Sequence, residues 1–481
     1  MYSVSRSSLV PFLIVIFAAM IARGLVIGFA GDSLQQDPDS YRVLAETWAE
    51  TGTFGFVDEG TEKPRATAFR PPLYPWLLGW FVDSNGLSLT SVAVVHWLLG
   101  LSTVVLVFFI ARQLGLVAWA VALAVTLDPL MLRASQLVMT ETLAGFLAML
   151  AWWLWLPVQS AGRERCVAVR SATGLSTSST TAFGLVLGMA VLARPTAAPW
   201  CVLLIGAWLI LALRRPSLSI RTKLMGPALA TLLVAVCVLS WTWRNQSQLG
   251  KPIWATTHGG YTLLLANNPM LYEHFRQSGP SRDWDAEPFH QRWAQRAEAE
   301  QDPTLLDYWR TENQLLTDSQ STGFPQTIGF AELKDDEVAY AAARATIASE
   351  PWLFCESCIY RALWFWALWP REVGNVEKLL IGGWYLVWFL LVAVSLCQQV
   401  WIWRNAERNP VEGKLESRWK HLRLWLPGLL LLLTLTAIHS VYWGNMRMRA
   451  PLMPVVYMLA LTGVSRLSLA AEHDQHAGSF G

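Results

Sequence analysis

Long apolar runs constrain this chain most, because several of them reach about 20 residues without a charged side chain, the length that an α-helix needs to cross a bilayer. Of its 481 residues, 53% are hydrophobic and only 15% are charged, whereas soluble domains carry about 25% charged residues. This composition excludes a disordered chain and disfavours a soluble globular one. The sequence therefore predicts an all-α polytopic membrane protein.

The apolar runs predict about ten transmembrane helices. Their approximate ranges are 9–30, 87–111, 115–131, 138–157, 181–193, 197–213, 224–243, 378–403, 424–441 and 450–469. The first run is predicted to stay in place as a helix that also directs insertion. Three parts follow from this division: a transmembrane module over 1–243 with a loop at 31–86, a segment over 244–377, and C-terminal transmembrane helices over 378–481.

The distribution of Lys and Arg predicts the orientation in the membrane. These residues concentrate in the loops 158–180, 214–223 and 404–423. Because cytoplasmic loops carry the excess of basic residues, all three loops and both termini are predicted to face the cytoplasm. Residues 31–86 and 244–377 then lie outside.

Two segments are constrained by this orientation. Residues 181–213 lie between two basic loops and must cross an even number of times, so Pro195, directly after Arg194, predicts a helix break and a hairpin. Residues 352–369 form an aromatic amphipathic stretch, and a crossing there would move the basic loop at 404–423 outside. We therefore predict that this stretch is an interfacial helix.

Charged residues at the outer ends of the spans are the candidate functional residues, because charges near the hydrocarbon are expensive and tend to be functional. They are Asp37, Asp39, Arg70, Arg133, Glu141, Arg194, Arg447 and Arg449. Arginines mixed with carboxylates at one face predict an anionic ligand together with an acid or base group. The alternative for each residue taken singly is the ordinary charge of an outer loop.

The carboxylates among these residues leave a cofactor open. Asp37-Pro38-Asp39 has the spacing of an oxygen ligand pair for a divalent metal, and an aspartate at this place is also a typical helix cap. Glu141 could hold a metal or orient an acceptor, or it could complement the dipole at a helix start. The sequence thus requires no cofactor and allows a divalent metal.

Short motifs, in order along nearly the whole chain, carry a resemblance to a known superfamily. The first half contains Asp37-x-x-x-Tyr41, Gly52-Thr53-Phe54, Arg70-Pro71-Pro72-Leu73-Tyr74-Pro75, Asp128-Pro129-Leu130, Val138-Met139-Thr140-Glu141 and Leu192-Ala193-Arg194-Pro195. The second half contains Trp243-Arg244-Asn245, Gly259-Gly260-Tyr261, Asn267-Asn268-Pro269, His439, Arg447-Met448-Arg449-Ala450-Pro451 and Pro454. The ordered set resembles the GT-C superfamily of polytopic glycosyltransferases, specifically the bacterial relatives of protein O-mannosyltransferases and the lipid A aminoarabinose transferase.

The resemblance implies an inverting transferase that uses a polyprenyl-phosphate-linked sugar as donor, with a lipid, glycan or protein as acceptor and no nucleic acid. It further implies a multi-pass protein of the bacterial inner membrane whose active site faces the periplasm. The family's proposed catalytic base, an aspartate in the first loop, corresponds to Asp37. Many relatives carry Asp-Glu at this point, whereas Asp37 is followed by Pro38, and Asp39 either replaces the missing carboxylate in part or only caps the helix.

The implied chemistry needs three things, and the sequence offers a candidate for each. A base must deprotonate the acceptor, which points to Asp37, with Asp39 and Glu141 as further catalytic candidates. Cations must stabilise the departing phosphate. Arginine suits that task through its paired donors, and the candidates are Arg70, Arg194, Arg447 and Arg449. The spans and interfacial helices would supply a groove for the lipid.

Two other functions fit part of the pattern. A transporter or flippase of lipid-linked sugars also needs outer arginines and an apolar groove, but it often shows repeated halves with helices broken at the midplane. Here the polar groups gather at one face. An O-antigen ligase or polymerase would use lipid diphosphate donors, and the order of the motifs favours the first hypothesis over it.

Overall fold

The computed structural model describes residues 6–29, 31–57, 62–160, 177–216, 219–294, 328–371, 373–408 and 414–463. Helices dominate this part of the chain. In order they are α1 Arg6–Gly28, α2 Tyr41–Thr51, α3 Leu73–Gly79, α4 Leu89–Gln113, α5 Ala118–Leu127, α6 Pro129–Ala134, α7 Glu141–Ser160, α8 Thr177–Ala193, α9 Ala198–Leu213, α10 Ile220–Leu249, α11 Gly259–Ala266, α12 Pro269–Ser278, α13 Glu287–Ala294, α14 Ile328–Ser349, α15 Pro351–Phe365, α16 Asn375–Arg408, α17 Lys414–Val441 and α18 Met453–Ala460.

Short elements connect some of these helices. The 3-10 helices are Gly31–Leu34, Pro195–Ala197 and Met446–Leu452. Two small antiparallel hairpins lie between α2 and α4: β1 (Gly55–Val57) pairs with β2 (Pro64–Ala66), and β3 (Val82–Asp83) pairs with β4 (Gly86–Leu87). In β1 and β2, Gly55 pairs with Ala66 and Phe56 with Arg65.

Six helices in the described part are long and apolar enough to cross a membrane. They include the segments Leu9–Gly28, Leu89–Gln113, Pro195–Leu213, Ile220–Leu249, Asn375–Trp401 and Leu422–Val441. Three more apolar helices are shorter: Ala118–Leu127, Glu141–Leu156 and Ser178–Ala193. A mainly helical, polytopic membrane protein is therefore confirmed, while the count of ten crossings stays a prediction.

Two polar positions interrupt predicted apolar segments. The prediction of a single helix over 115–131 is wrong, because α5 ends before Asp128 and the backbone of Asp128 is extended. The side chain of Asp128 caps α6 by accepting the backbone N–H of Met131 at 2.6 Å. Pro129 follows at the first position of α6, where a missing N–H costs nothing. The break predicted at Arg194 and Pro195 is confirmed, because Arg194 is extended between α8 and α9.

Other predictions on the helices have mixed outcomes. Residues 352–365 are helical in α15, but the interfacial position of this helix stays a prediction. The described part of the predicted span 450–469 is the end of a 3-10 helix followed by the short α18. The basic loop predicted at 158–180 lies largely outside the described residues. Of the loop predicted at 404–423 only residues 409–413 do, and the rest belongs to the ends of α16 and α17.

The main core packs α17 against α7 and α9 through three buried tryptophans. The indole N–H of Trp155 donates to the carbonyl oxygen of Arg423 at 2.8 Å. That carbonyl stands four residues before Pro427, which has no N–H to donate to it. Trp152 and Trp200 likewise donate to backbone carbonyls of α17. The proline thus frees one backbone acceptor, the carbonyl oxygen of Arg423, which the indole of Trp155 satisfies.

One charge lies deep in the first helix. Arg23 in α1 is 1% exposed and its Nη1 donates to Ser135 Oγ at 2.9 Å. The guanidinium lies against Gly100 of α4, where an added Cβ would be only 2.6 Å from Nη1. Glycine is required at this crossing because any side chain would displace the arginine.

The first loop is held on the end of α10 and on α14. Arg244 Nη1 donates to the carbonyl oxygen of Thr67 at 2.6 Å, and its guanidinium packs on the rings of Phe54 and Trp241. From α14, Glu332 accepts the backbone N–H of Ala68 at 3.0 Å. These contacts fix the loop that carries Asp37 and Arg70.

Candidate active site at the first loop and the start of α7

Asp37 stands at the start of α2, where it caps the helix. Its Oδ1 accepts the backbone N–H of Tyr41 at 2.8 Å, and its Oδ2 accepts those of Arg42 at 2.9 Å and Val43 at 3.2 Å. Burial nevertheless raises the pKa of this carboxyl above its ordinary value, outweighing the three hydrogen bonds. A carboxylate has about four acceptor sites, so Asp37 keeps one for a further proton.

Asp39 has a different role from a cap. Its Oδ1 forms an ion pair with Arg70 Nη2 at 2.7 Å, while Arg70 Nε donates to the carbonyl oxygen of Asp39 at 3.0 Å. The guanidinium of Arg70 also lies 4.4 Å from the centre of the Phe69 ring. These two contacts with Asp39 hold the side chain of Arg70 in place within the first loop.

Glu141 forms the second polar centre, at the first residue of α7. Its side chain is 4% exposed, and its Oε1 lies 3.3 Å from Arg447 Nε and 3.7 Å from Arg194 Nη1. Neither contact is a hydrogen bond, because Arg447 Nε has no partner of suitable geometry and the second distance is too long. Two guanidinium groups therefore share one carboxylate loosely. We call Arg194, Glu141 and Arg447 the arginine–glutamate cluster.

Tyr41 connects the two centres. Burial raises the pKa of its phenol to about 12. Two charge pairs also act on its hydroxyl, Arg70 with Asp39 and Arg194 with Glu141. The site residues of the first loop and those of the arginine–glutamate cluster therefore lie in one neighbourhood.

A fixed polar chain supports Tyr41 from behind. The ring of Tyr74 packs edge-to-face on Tyr41 at 5.3 Å, and its hydroxyl lies 2.6 Å from His96 Nε2. His96 Nδ1 lies 3.0 Å from the carbonyl oxygen of Ser135. Because a carbonyl only accepts, Nδ1 carries the proton and Nε2 accepts from Tyr74. Glu141 and Asp37 both act electrostatically on Tyr74.

Arg449 is the one predicted phosphate contact that lies elsewhere. It is fully buried, and its Nη1 donates to the carbonyl oxygens of Phe365 at 3.0 Å and Ala367 at 2.6 Å. Its Cζ stands 4.6 Å from the centre of the Tyr385 ring. Tyr385 in turn donates to Asp128 at 3.0 Å. We call this group, with Tyr457 as a second donor to Asp128, the aspartate–tyrosine cluster.

A divalent metal does not fit the aspartates of the first loop. Asp37 is occupied by three backbone donors and Asp39 by a guanidinium. In the described ranges, no group of three or more His, Cys, Asp or Glu side chains is placed to hold an ion. Cys355 and Cys358 are free thiols on α15.

His439 is a site residue to which the sequence assigned no role. Its ring stacks on that of Phe365, with the ring centres 5.2 Å apart. The positive charge of Arg194 acts electrostatically on the imidazole. Its Nε2 is buried and has no partner within the described residues. A lone histidine near the end of an apolar helix gave no spacing signal, since its neighbours come from other helices.

The described chain is a mainly helical, membrane-spanning protein in which Arg194, Glu141 and Arg447 lie together. Comparisons with known proteins identify its fold. No protein-family model matches the sequence, and no curated protein is significantly similar to it. Among solved structures, the apo form of the oligosaccharyltransferase from Archaeoglobus fulgidus is 12% identical, with a TM-score of 0.50 over 97% of this chain and 52% of that one. The fold is therefore GT-C-like.

Two further structures are more distant. ArnT from Cupriavidus metallidurans, bound to undecaprenyl phosphate, is 12% identical, with a TM-score of 0.36 over 96% of this chain and 79% of that one. The archaeal oligosaccharyltransferase AglB from Archaeoglobus fulgidus, in complex with an inhibitory peptide and a dolichol-phosphate, is 14% identical, with a TM-score of 0.49 over 98% of this chain and 52% of that one. The chain thus spans about half the length of the oligosaccharyltransferase.

Proposed function

We propose that this protein is an inverting glycosyltransferase that moves a sugar from a polyprenyl-phosphate donor to an acceptor at the periplasmic face of a bacterial inner membrane. The observation that carries the proposal is the arginine–glutamate cluster, which lies in one neighbourhood with Asp37 through Tyr41 and Tyr74. The GT-C-like fold shared with an oligosaccharyltransferase supports glycosyl transfer as the reaction class.

The arginine–glutamate cluster suits the donor phosphate. Two guanidinium groups face a single carboxylate at 3.3 and 3.7 Å, so one positive charge is left over for an anion. Fixed cations aimed at a departing phosphate stabilise the charge that develops as the sugar–oxygen bond breaks. We assign Arg447 and Arg194 to this contact, with Glu141 holding the two side chains in place. Arg70 would be a third contact.

Asp37 is the proposed base. It takes the proton of the acceptor hydroxyl or amine while the acceptor atom attacks the anomeric carbon from the face opposite the phosphate. The electron pair of the breaking bond leaves with the lipid phosphate, so the configuration inverts. Burial keeps the pKa of Asp37 raised, which makes it a stronger base than an exposed aspartate once it is ionised. Asp39 positions Arg70 beside it.

Mass spectrometry of envelope glycans and glycolipids tests this function in the native host. A deletion strain should lack one sugar modification, and the wild-type gene should restore it, whereas the gene with Asp37→Asn should not. A transporter of lipid-linked sugars predicts a different result, because it has no need of a base, so full restoration by the Asp37→Asn gene would refute the transferase.

The proposed orientation has its own test. Reporters that are active only outside the cytoplasm, fused near residue 300 and within 404–423, should be active at the first site and silent at the second. Activity at the second site would mean that residues 352–369 cross the membrane, and the catalytic loop would then need reassignment.

A further inference from the structure

A cleft of about 670 Å³ opens between the first loop and α14, beside the Asp39–Arg70 pair. We call it the outer cleft. Its wall includes Phe56, Phe69, Arg70, His258, Tyr261 and Trp293. Its volume is that of an ordinary ligand site. Asp39, one of its wall residues, follows the proposed base Asp37 by two residues in the sequence.

A continuous row of aromatic rings lines this cleft. Phe56 is 6.2 Å from Phe69, Phe69 is 4.8 Å from His258, His258 is 5.1 Å from Tyr261, and Tyr261 is 5.7 Å from Trp293, all between ring centres. The rings come from five separate positions between residues 56 and 293. Aromatic faces carry negative charge density, which attracts the C–H groups on the apolar faces of pyranose rings.

The charges around the row select against anions. Carboxylates outnumber guanidinium groups in the wall: the former are Asp39, Glu332, Asp335 and Asp336, and the latter are Arg65 and Arg70. Two of the acids are built into the frame, because Glu332 accepts the backbone N–H of Ala68 and Asp336 that of Gly260. These hydrogen bonds hold both side chains in place. Because Arg70 is paired with Asp39, the remaining wall carries more acids than arginines, which disfavours a phosphorylated acceptor.

His258 contributes a neutral polar edge in the middle of the row. Burial and the nearby charge of Arg70 lower the pKa of its imidazole to about 3. The ring therefore stays uncharged at any pH where the protein works, and offers one donor and one acceptor. Hydroxyl groups can use both.

We infer that the outer cleft binds the acceptor, and that the acceptor is a glycan without phosphate groups, stacked on the aromatic row and hydrogen-bonded by His258. The inference rests on the proposed function and adds the substrate class. A glycan fits better than a peptide, because rings in contact with one another, with centres 4.8 to 6.2 Å apart, offer sugar rings a continuous aromatic surface, whereas an extended peptide needs a row of backbone partners. The phosphate of the donor stays at the arginine–glutamate cluster.

Binding to the full chain in nanodiscs tests this inference. The probes are maltohexaose, cellohexaose, a chitosan hexamer, maltohexaose with a terminal 6-phosphate, and a serine-containing hexapeptide, each measured by saturation-transfer NMR. We expect at least one unphosphorylated saccharide to bind, and the phosphorylated one to bind at least tenfold more weakly than maltohexaose. Binding of the peptide alone, or of no saccharide, would overturn the inference.

Substitutions locate the site. Phe56→Leu and His258→Leu should each weaken saccharide binding about tenfold, while Trp254→Leu, at a half-exposed tryptophan outside the cleft, should not. Equal binding by all three variants would place the saccharide elsewhere. Undecaprenyl phosphate binding, measured on the same samples, shows that each variant is folded. It also separates the two proposals: saccharide binding without lipid phosphate binding contradicts the proposed function, and the reverse result contradicts only the cleft assignment.

Discussion

The aspartate–tyrosine cluster and the arginine–glutamate cluster each place a buried acid near arginines, yet their hydrogen bonding differs. Arg449 is fully buried, whereas the side chains of Arg447 and Arg194 are 27% and 16% exposed. Asp128 accepts from the backbone of Met131 and from two tyrosine hydroxyls. Glu141 has only two arginines near it, at 3.3 and 3.7 Å, and neither forms a hydrogen bond with it. Asp128 thus accepts hydrogen bonds from three groups of the protein, whereas Glu141 accepts none within the described residues.

The difference separates structure from function in one bundle. Hydrogen bonds to a buried carboxylate rigidify the fold, and Asp128 ties α6 to α16 and α18 in this way, although Nε and Nη2 of Arg449 in the same cluster have no partner within the described residues. Glu141 and Arg447 Nε are polar groups without a hydrogen bond in the described part of the chain, which is unfavourable unless a ligand completes the cluster. We therefore expect that a bound phosphate completes the arginine–glutamate cluster, and that Asp128 stays bonded to protein groups alone.

Removing the acid from the aspartate–tyrosine cluster should have the largest effect. Asp128→Leu leaves two buried hydroxyl donors and the charge of Arg449 uncompensated, which should lower the free energy of unfolding by about 3–5 kcal/mol. Glu141→Leu, the matched change, should lower it much less, because Glu141 accepts no hydrogen bond within the described residues and its two arginines are 16% and 27% exposed. Thermal unfolding of the purified proteins in detergent measures both. Equal losses would erase the contrast between the clusters.

Removing the base should abolish most turnover while leaving the fold intact. Asp37→Asn keeps one of the two oxygens that accept backbone N–H groups at the start of α2 and replaces the other by an NH2 group, so part of the cap is lost. The amide cannot take a proton. Turnover should fall about 100-fold or more, with donor binding unchanged. Asp39→Asn should act through Arg70 and reduce turnover less. A dead Asp39→Asn beside an active Asp37→Asn would move the base to Asp39.

Two arginines that are neighbours in sequence should behave in opposite ways. Arg447→Lys loses the planar fork and should weaken binding of undecaprenyl phosphate about tenfold. Arg449→Lys should leave that affinity unchanged and lower the free energy of unfolding by about 2 kcal/mol, because its ring contacts are lost. Isothermal titration and thermal unfolding on both variants decide the matter. Weaker lipid binding by Arg449→Lys would return it to the donor site.

The pH dependence of turnover gives the finest test. The pKa of Asp37 is raised by burial, and the base must be ionised, so turnover should be high above that pKa and fall as the pH drops through it. The raised pKa means that folding favours the protonated form of Asp37. The protonated carboxyl therefore stabilises the folded protein at low pH, and this stabilisation is lost as the pH rises through the raised pKa, whereas turnover increases over the same range. His258 stays neutral above about pH 3, and its substitution should leave the midpoint unchanged. A midpoint at the ordinary aspartate value would show that Asp37 is not the titrating base.

The sequence predicted those parts of the fold that depend on local pattern. Long apolar runs predicted α1, which Arg23 interrupts, and α4 and α10. Pro195 predicted a break, because a proline lacks the N–H that a helix needs at any position in its interior. Asp128 also started a helix before a proline, but its flanks are so apolar that the sequence predicted a single span. The local signal for a helix break, an aspartate before a proline, was thus present, but the apolar residues around it outweighed it in the prediction.

The site could be predicted only as a set of residue types. Charges at the ends of spans pointed to Asp37, Glu141, Arg194 and Arg447, since a charge near hydrocarbon has few neutral explanations. The burial of Arg449 depends on Phe365, Ala367 and Tyr385, more than 60 residues before it in the chain. The aromatic row of the outer cleft joins three distant segments in the same way. Contacts between segments so far apart in the sequence leave no local sequence pattern from which they could be predicted.

The buried arginine of α1 has a consequence for how the protein is made. Ser135, its hydrogen-bond partner, is synthesised 112 residues after Arg23. At about 5–20 residues per second, the guanidinium waits roughly ten seconds for that partner, inside an apolar helix in which a charge opposes insertion. We expect that nascent chains truncated before residue 135 insert α1 less completely than the same chains with Arg23→Leu, and that the deficit disappears once α6 has emerged. The first helix to reach the membrane thus depends on a residue that is synthesised only after α4, α5 and α6.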